Sequence, residues 1–177
     1  EIWCFLELKS MLEELGFSAR QEKKSPLSYK GLEFSLKENK GSQYELFRAS
    51  DKMTIRLIHE PAFGPVKNPS SGEIASWITT QKPDILLEAE LHDKRKIRLI
   101  FDAKYRIQSN DDSSEHTAGQ SGFDRVPDDA INQMHRYRDA LIPIDQTGNG
   151  WSEKSRPVLA AFALYPGWFD EANQINP

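Results

Sequence analysis

The stretch that decides the fold runs from residue 82 to residue 106 and reads KPDILLEAELHDKRKIRLIFDAKYR. Two apolar runs, residues 85–91 and 97–101, flank a polar stretch, which is the pattern of two strands joined by a turn. A hairpin folds the chain back on itself, so we expect Asp84 and Asp102 to meet at one end of the sheet. Two carboxylates beside Lys104 suit a hard divalent cation with bound water.

Side chains alternate between the two sides of a strand, and this places the polar residues of the second run on one side. Asp102 and Lys104 are two positions apart, so their side chains share one side of the strand, while Phe101 and Ala103 take the other. A lysine in a strand is usually a solvated edge residue, and an aspartate after a strand is often only a turn residue. The combination of Asp84 with Asp102 and Lys104 favours a site over these simpler interpretations.

A later helix carries two further candidates. Pro127 suits a first helical turn, and the acidic pair that follows it suits the positive end of a helix dipole. Gln133 and Tyr137 are four residues apart, so they share one helical face and can point at the same spot. In the simpler alternative, Tyr137 belongs only to the apolar stripe of this helix and Gln133 flanks it.

The chain begins with a helical pattern. Apolar residues at positions 2, 5, 8, 11, 12 and 15 form one stripe, and Gly16 is a natural stop. Because Glu1 shares the inward face with Phe5, we expect its carboxylate to complete an acidic cluster, whereas Glu7 should face water. The sequence starts inside this pattern, so we interpret it as a piece of a larger protein.

Several other segments have a strand pattern. Residues 31–36, 43–48 and 53–58 alternate apolar with polar residues and predict a β-meander. Residues 157–165 are continuously apolar and predict a central strand covered on both faces. Residues 108–128 are polar and predict a long loop.

Composition bounds the class of protein. The 177 residues suffice for one domain, and a single cysteine, Cys4, fits a reducing cytoplasm. No apolar run approaches the roughly 20 residues that span a bilayer, so no membrane association is expected. The net charge of −4 argues against a basic, non-specific coat on DNA. Scattered histidines and the absence of a Walker-type loop argue against structural zinc and nucleotide binding.

In their order and spacing, these motifs resemble the PD-(D/E)XK nuclease superfamily, in the branch that carries a Gln-x-x-x-Tyr helix, as RecB-type nucleases do. The sequence around these motifs is similar to that of McrC-like restriction nucleases. The similar pieces are the acidic-aromatic start EIWCF, the strand KPDILLE, the strand FDAKYR, the helix QMHRYRDA and a last strand ending in Tyr165-Pro166.

The resemblance implies a restriction-endonuclease-like fold of the α/β (α+β) class, with a mixed central sheet flanked by helices. It implies a single nuclease-like domain over residues 1–177, with a first helix at 1–16, a β-rich meander insert at 30–60 and a catalytic core at 77–165.

The resemblance also assigns roles to residues. The implied ligands of Mg²⁺ or Mn²⁺ are Asp84, Asp102, Glu1 and the backbone carbonyl of Ala103. Lys104 would orient the attacking water or stabilise charge on phosphorus, and Gln133 and Tyr137 would contact the Lys104 region or the scissile phosphate.

Two glutamates of the first hairpin strand, Glu88 and Glu90, alternate in phase with Asp84. Either could add a metal ligand, although cross-strand pairing with Arg98 or Lys96 is the commoner outcome.

The expected function is that of a Mg²⁺-dependent DNA endonuclease domain in a prokaryotic restriction or defence system of McrBC-like type. The resemblance implies a cytoplasmic protein that acts on DNA with a separate AAA+ NTPase or recognition subunit, in an oligomeric assembly or alone. One alternative is a catalytically inactive nuclease-fold module for nucleic-acid binding or complex assembly. A third reading is an α/β domain without nuclease ancestry whose hairpin mimics the motif.

Overall fold

A computed structural model describes residues 1–20, 27–30, 33–36, 43–65, 74–77, 79–105, 126–144 and 156–165. Its helices are α1 (Ile2–Glu14) and α2 (Asp128–Ala140). Its strands are β1 (Ser18–Ala19), β2 (Leu27–Lys30), β3 (Glu33–Leu36), β4 (Gln43–Arg48), β5 (Met53–His59), β6 (Ile74–Ser76), β7 (Ile85–Glu90), β8 (Lys96–Ala103), β9 (Leu141–Pro143) and β10 (Ala160–Leu164). Neither described helix is long and apolar enough to cross a bilayer.

Six strands form the central sheet, in the order β1-β4-β5-β7-β8-β10. Neighbours within β1 to β8 run antiparallel, and β10 runs parallel to β8. The sheet is therefore mixed, as predicted, and with its helices it forms the expected α+β architecture. Two short pairs, β2 with β3 and β6 with β9, lie outside this sheet.

The helix α1 covers one face of the sheet. Phe5 is fully buried and Leu12 is nearly so, and both pack against inward residues of β5 and β7 such as Leu57 and Leu87. The helix is followed by Gly16, whose φ of +87° is a conformation that glycine adopts without a steric penalty. The predicted helix over residues 1–16 is confirmed to within two residues at either end.

The helix α2 covers the opposite face. Its buried residues are Ala130, Met134 and Tyr137, which is the stripe that the sequence predicts. Met134 and Tyr137 pack in one cluster with Leu86 of β7 and Ile100 of β8. Helix and hairpin are thereby held together at the end of the sheet where the candidate site lies.

The predicted hairpin is formed by β7 and β8. Leu87 pairs with Leu99, and the last pair at the open end is Ile85 with Phe101. The positive φ of Lys94, +70°, marks the turn at the other end. This register places the residue before Ile85 beside the residue after Phe101, which are the two aspartates of the motif.

Two strand predictions need correction. The predicted three-stranded meander forms only in part: β4 and β5 pair antiparallel within the central sheet, but β3 pairs with β2. The predicted central strand, β10, is the end strand of the described sheet, and Phe162 on it is 45% exposed. A continuous apolar run predicts a buried strand. The place of that strand in the sheet depends on pairing with strands that are distant in sequence.

Some predictions fall outside the described residues. Residues 108–125 of the predicted loop at 108–128 are not described, nor are Arg106 and Pro166 of the sequence motifs.

Candidate active site

Asp84 is held at the open end of the hairpin through both its backbone and its side chain. It follows the buried Pro83, and its backbone carbonyl accepts a hydrogen bond from the Glu60 nitrogen at 2.7 Å. Its Oδ2 accepts a hydrogen bond from the Ala103 backbone nitrogen at 2.6 Å. The carboxylate therefore bridges β7 and β8 directly beside Asp102.

The electrostatic setting of Asp84 disfavours its charge. The pKa of Asp84 is raised from 3.8 to about 6, mainly by burial and also by the Asp102 and Glu1 carboxylates, against the lowering effect of the Ala103 hydrogen bond and of Lys104. The pKa rises because a partly desolvated anion lies among other anions. A cation bound beside Asp84 would relieve this cost.

Asp102 is the more deeply buried carboxylate, with 2% of its surface exposed. Its Oδ2 forms an ion pair with the Lys104 ammonium two residues further along the strand, so the predicted shared face is confirmed. Apart from this ion pair, the buried Oδ2 has no partner among the described residues. Its other oxygen, Oδ1, lies 3.3 Å from the Tyr137 hydroxyl, which donates to it.

Lys104 is linked to α2 by a chain of hydrogen bonds. Its Nζ donates to Gln133 Oε1 at 2.9 Å, and Gln133 Nε2 donates to the Tyr137 hydroxyl at 2.6 Å. Gln133 and Tyr137 therefore face the same spot, as their spacing predicts, and both contact the group at the end of β8. The alternative in which they serve only the core does not account for these bonds.

The Tyr137 hydroxyl has a second acceptor besides Asp102. It lies 3.2 Å from the Lys82 backbone carbonyl, which precedes Asp84 by two residues. Burial raises the pKa of Tyr137, and the Asp102 charge raises it further. The side chain consequently stays a neutral phenol, able to donate to one acceptor while it accepts from Gln133.

Glu1 differs from its predicted setting. We expect an inward carboxylate, but the Glu1 side chain is exposed, as is that of Glu7. The reason is that Glu1 precedes the first residue of α1 and is not carried on the buried stripe with Phe5. It is nevertheless close enough to Asp84 to raise the pKa of that carboxyl, and its role as a ligand stays a prediction.

The two glutamates of β7 form ion pairs with basic side chains. Glu88 is 5% exposed, and its two carboxylate oxygens contact Arg56 and Arg98, the latter at 2.6 Å. Burial alone would raise the pKa of Glu88, but the hydrogen bonds from these arginines outweigh it and hold the pKa below its usual value. Glu90 pairs with Lys94 at 2.8 Å. The predicted cross-strand pairing is confirmed for Glu88.

The site fits a hard divalent cation on the chemistry of its donors. In the described ranges, no group of three or more His, Cys, Asp or Glu side chains is placed to hold a metal ion. The available donors are thus Asp84 and Asp102, and the buried Asp102 Oδ2 has only the Lys104 ammonium as its partner. Mg²⁺ retains several waters and needs only one or two carboxylates from a protein, so two suffice. The ligand role of the Ala103 carbonyl stays a prediction.

Two residues near the site are missed by the sequence analysis. Lys82 contributes a backbone carbonyl, which no side-chain motif can reveal. His59 ends β5 opposite Ile85 and is 7% exposed, and its Nε2 has no hydrogen-bond partner among the described residues. Burial lowers the pKa of His59, which favours the neutral imidazole. A single histidine at a strand end gives no sequence signal of its own.

Comparison with known families gives one match. A family model of the PD-(D/E)XK nuclease superfamily matches residues 1–170. No curated protein and no solved structure matches the chain significantly. The matched range contains α1, the six-stranded sheet and the whole network from Asp84 to Tyr137. The chain belongs to the PD-(D/E)XK nuclease superfamily.

Proposed function

We propose that this domain is a Mg²⁺- or Mn²⁺-dependent endodeoxyribonuclease. Membership of the superfamily implies nuclease activity on phosphodiester bonds. One observation carries the finer proposal: the buried Asp102 carboxylate lies beside Asp84 and forms an ion pair with Lys104. In a catalytically inactive protein of the same fold, this buried charge would lower stability without serving a reaction.

Each residue of the site has its own proposed role. Asp84 and Asp102 hold the cation, with Ala103 and Glu1 as further candidate ligands. When bound, a divalent cation supplies a Lewis acid that polarises a phosphoryl oxygen and acidifies a water molecule. Lys104 provides a positive charge next to the reacting phosphate, where it orients the attacking water or stabilises developing charge.

The helix α2 positions Lys104 for this role. Gln133 accepts from the lysine ammonium and donates to Tyr137, which in turn donates to Asp102 or to the Lys82 carbonyl. The network closes on both sides of the ion pair, so it restricts the rotamers of lysine and aspartate together. Preorganisation of this kind reduces the reorganisation needed when the substrate reacts.

The cellular role that we propose is in a restriction or defence system of McrBC-like type. Its support is the similarity of the KPDILLE, FDAKYR and QMHRYRDA segments to McrC-like nucleases. The sequence contains no glycine-lysine phosphate-binding loop, so a separate AAA+ NTPase or recognition subunit would supply movement along DNA and target choice. The site of action would then be the cytoplasm.

The test of the proposed activity is DNA cleavage by the full-length protein with its partner subunit. Supercoiled plasmid is incubated with EDTA, Mg²⁺ or Mn²⁺, and nicked and linear products are measured. The variants Asp102→Asn and Lys104→Met should lose cleavage by at least about a hundredfold. The control is Asp93→Asn, since Asp93 pairs with Arg95 in the turn at the far end of the hairpin.

Three outcomes would contradict the proposal. Cleavage in EDTA would exclude the metal-dependent mechanism. Cleavage by Asp102→Asn and Lys104→Met at the rate of the Asp93→Asn control would exclude this site. DNA binding by a natively folded protein that never cuts would support the inactive, nucleic-acid-binding alternative.

A further inference from the structure

We propose that the groove between α1 and the ends of β8 and β10 binds the base of an unpaired nucleotide next to the scissile phosphate. This inference rests on the proposed nuclease function and specifies its substrate. It predicts that the enzyme prefers DNA with a single-stranded or locally opened segment over continuous duplex.

The groove has a volume of about 460 Å³. One wall is formed by α1, which contributes Trp3 and Glu7, and the floor and opposite wall come from the strand ends with Lys104, Tyr105 and Tyr165. The described lining is mostly apolar and aromatic, with the lysine and the glutamate as its charged members. Such a lining suits a flat, partly polar ring system.

Two aromatic side chains of this groove are unusually exposed. Trp3 and Tyr105 each leave 71% of their surface accessible to water. Exposed rings beside a nucleic-acid site are the usual platforms on which unpaired bases stack.

Lys104 belongs to both the groove and the candidate active site. Its ammonium contacts Asp102 and Gln133, and the residue also lines the groove next to Tyr105 at the same strand end. A nucleotide whose phosphate is held at this strand end would therefore have its base next to the groove. This continuity selects a nucleotide, and not a peptide or a lipid, as the occupant.

The chemistry of the groove selects an unpaired base. In duplex DNA the faces of each base are covered by its stacked neighbours, so a ring can stack only on a base that has left the stack. Glu7 adds a hydrogen-bond acceptor that suits an exocyclic amino group, and its negative charge disfavours a second phosphate at that end of the groove.

The experiment measures binding separately from cleavage. Fluorescence anisotropy of the full-length protein with labelled DNA is recorded in Ca²⁺, using a single strand, a duplex and a duplex with a single-stranded tail. Trp3→Ala and Tyr105→Ala are compared with Trp77→Ala, which truncates an exposed tryptophan outside the groove. Trp3→Phe keeps an aromatic ring and serves as the rescue variant.

We expect each groove variant to weaken binding of single-stranded and tailed DNA about tenfold, with duplex binding within about twofold of wild type. Trp77→Ala should bind like wild type, and Trp3→Phe should recover most of the lost affinity. Equal weakening for duplex and single strand, or no weakening at all, would overturn the inference. Plasmid cleavage that needs Asp102 would persist in that case, so the proposed function could stand although the groove assignment fails.

Discussion

The Lys104 ammonium donates a hydrogen bond to Gln133 Oε1 at 2.9 Å, across 29 residues of sequence. This bond joins the end of β8 to the middle of α2. Because Lys104 is also in an ion pair with Asp102, the helix fixes the lysine that the proposed chemistry uses. Gln133 is therefore a positioning residue, and its removal should affect rate more than binding.

The first prediction concerns Gln133→Leu. Loss of the amide frees Lys104 to rotate, so we expect kcat to fall by about 10- to 100-fold while KM changes little. The measurement is steady-state cleavage of a labelled oligonucleotide. Asn132→Leu, on the exposed side of the same turn, is the matched control and should keep wild-type kinetics. A change in KM alone would show that Gln133 binds substrate and does not position Lys104.

The second prediction concerns Tyr137→Phe. This change removes the buried hydroxyl that accepts from Gln133 and lies within reach of Asp102 and the Lys82 carbonyl. We expect the free energy of unfolding to fall by about 1–3 kcal/mol, since buried partners lose a hydrogen bond. Urea denaturation measures this, with Tyr105→Phe at an exposed tyrosine as the control. Equal stability of both variants would contradict a structural role for the network.

The third prediction concerns pH and Asp84. Its pKa is raised from 3.8 to about 6, so the folded state loses stability as pH rises through this window and is not penalised below it. In EDTA, Asp84→Asn should therefore be more stable than wild type above pH 6, by roughly 1–2 kcal/mol after allowance for partial exposure. The advantage should shrink as pH falls towards 4.

Denaturant titrations of both proteins at several pH values decide this. Divalent cation should reverse the order by stabilising only the wild type, since Asp84→Asn lacks a ligand charge. A wild type that is more stable than Asp84→Asn at pH 8 in EDTA would contradict the assignment of a strained carboxylate.

The fourth prediction separates the structural carboxylates of β7 from the site. Glu88→Gln leaves Arg56 and Arg98 without their buried counter-charge and should lower the free energy of unfolding by roughly 3 kcal/mol. Since the pKa of Glu88 is lowered, the stability that it contributes is present above its normal pKa and is lost as pH falls through the folded value. Glu90→Gln, at an exposed pair, should have little effect. Loss of cation binding without loss of stability in Glu88→Gln would show that Glu88 is instead a ligand.

Much of the site could be predicted from sequence because its parts are local. The hairpin follows from two apolar runs and a polar turn, and its return places Asp84 beside Asp102 without any long-range information. The spacing of Gln133 and Tyr137 likewise fixes a shared helical face. What brings helix and hairpin together is the buried stripe of α2 on β7 and β8, which the sequence predicts as a stripe but not as a contact.

The errors concern pairing at a distance. β10 lies at the end of the described sheet, and β3 pairs with β2. Both facts depend on which strands become neighbours, and the pattern of apolar and polar residues along a strand does not specify its neighbour. The Glu1 prediction failed in its burial because helical phase does not extend to a residue before the first turn. Lys82 was not predicted as a site residue because only its backbone carbonyl contacts the site.

The proposed metal centre requires a cation between Asp84 and Asp102, and anomalous diffraction from a crystal soaked in Mn²⁺ tests this directly. We predict a single strong peak about 2.0–2.6 Å from an oxygen of each carboxylate, with the Lys104 ammonium displaced from Asp102 Oδ2. The peak should vanish in Asp102→Asn crystals. A fully occupied Mn²⁺ elsewhere, or none in well-ordered crystals that retain the Lys104–Asp102 ion pair, would contradict the proposed metal centre.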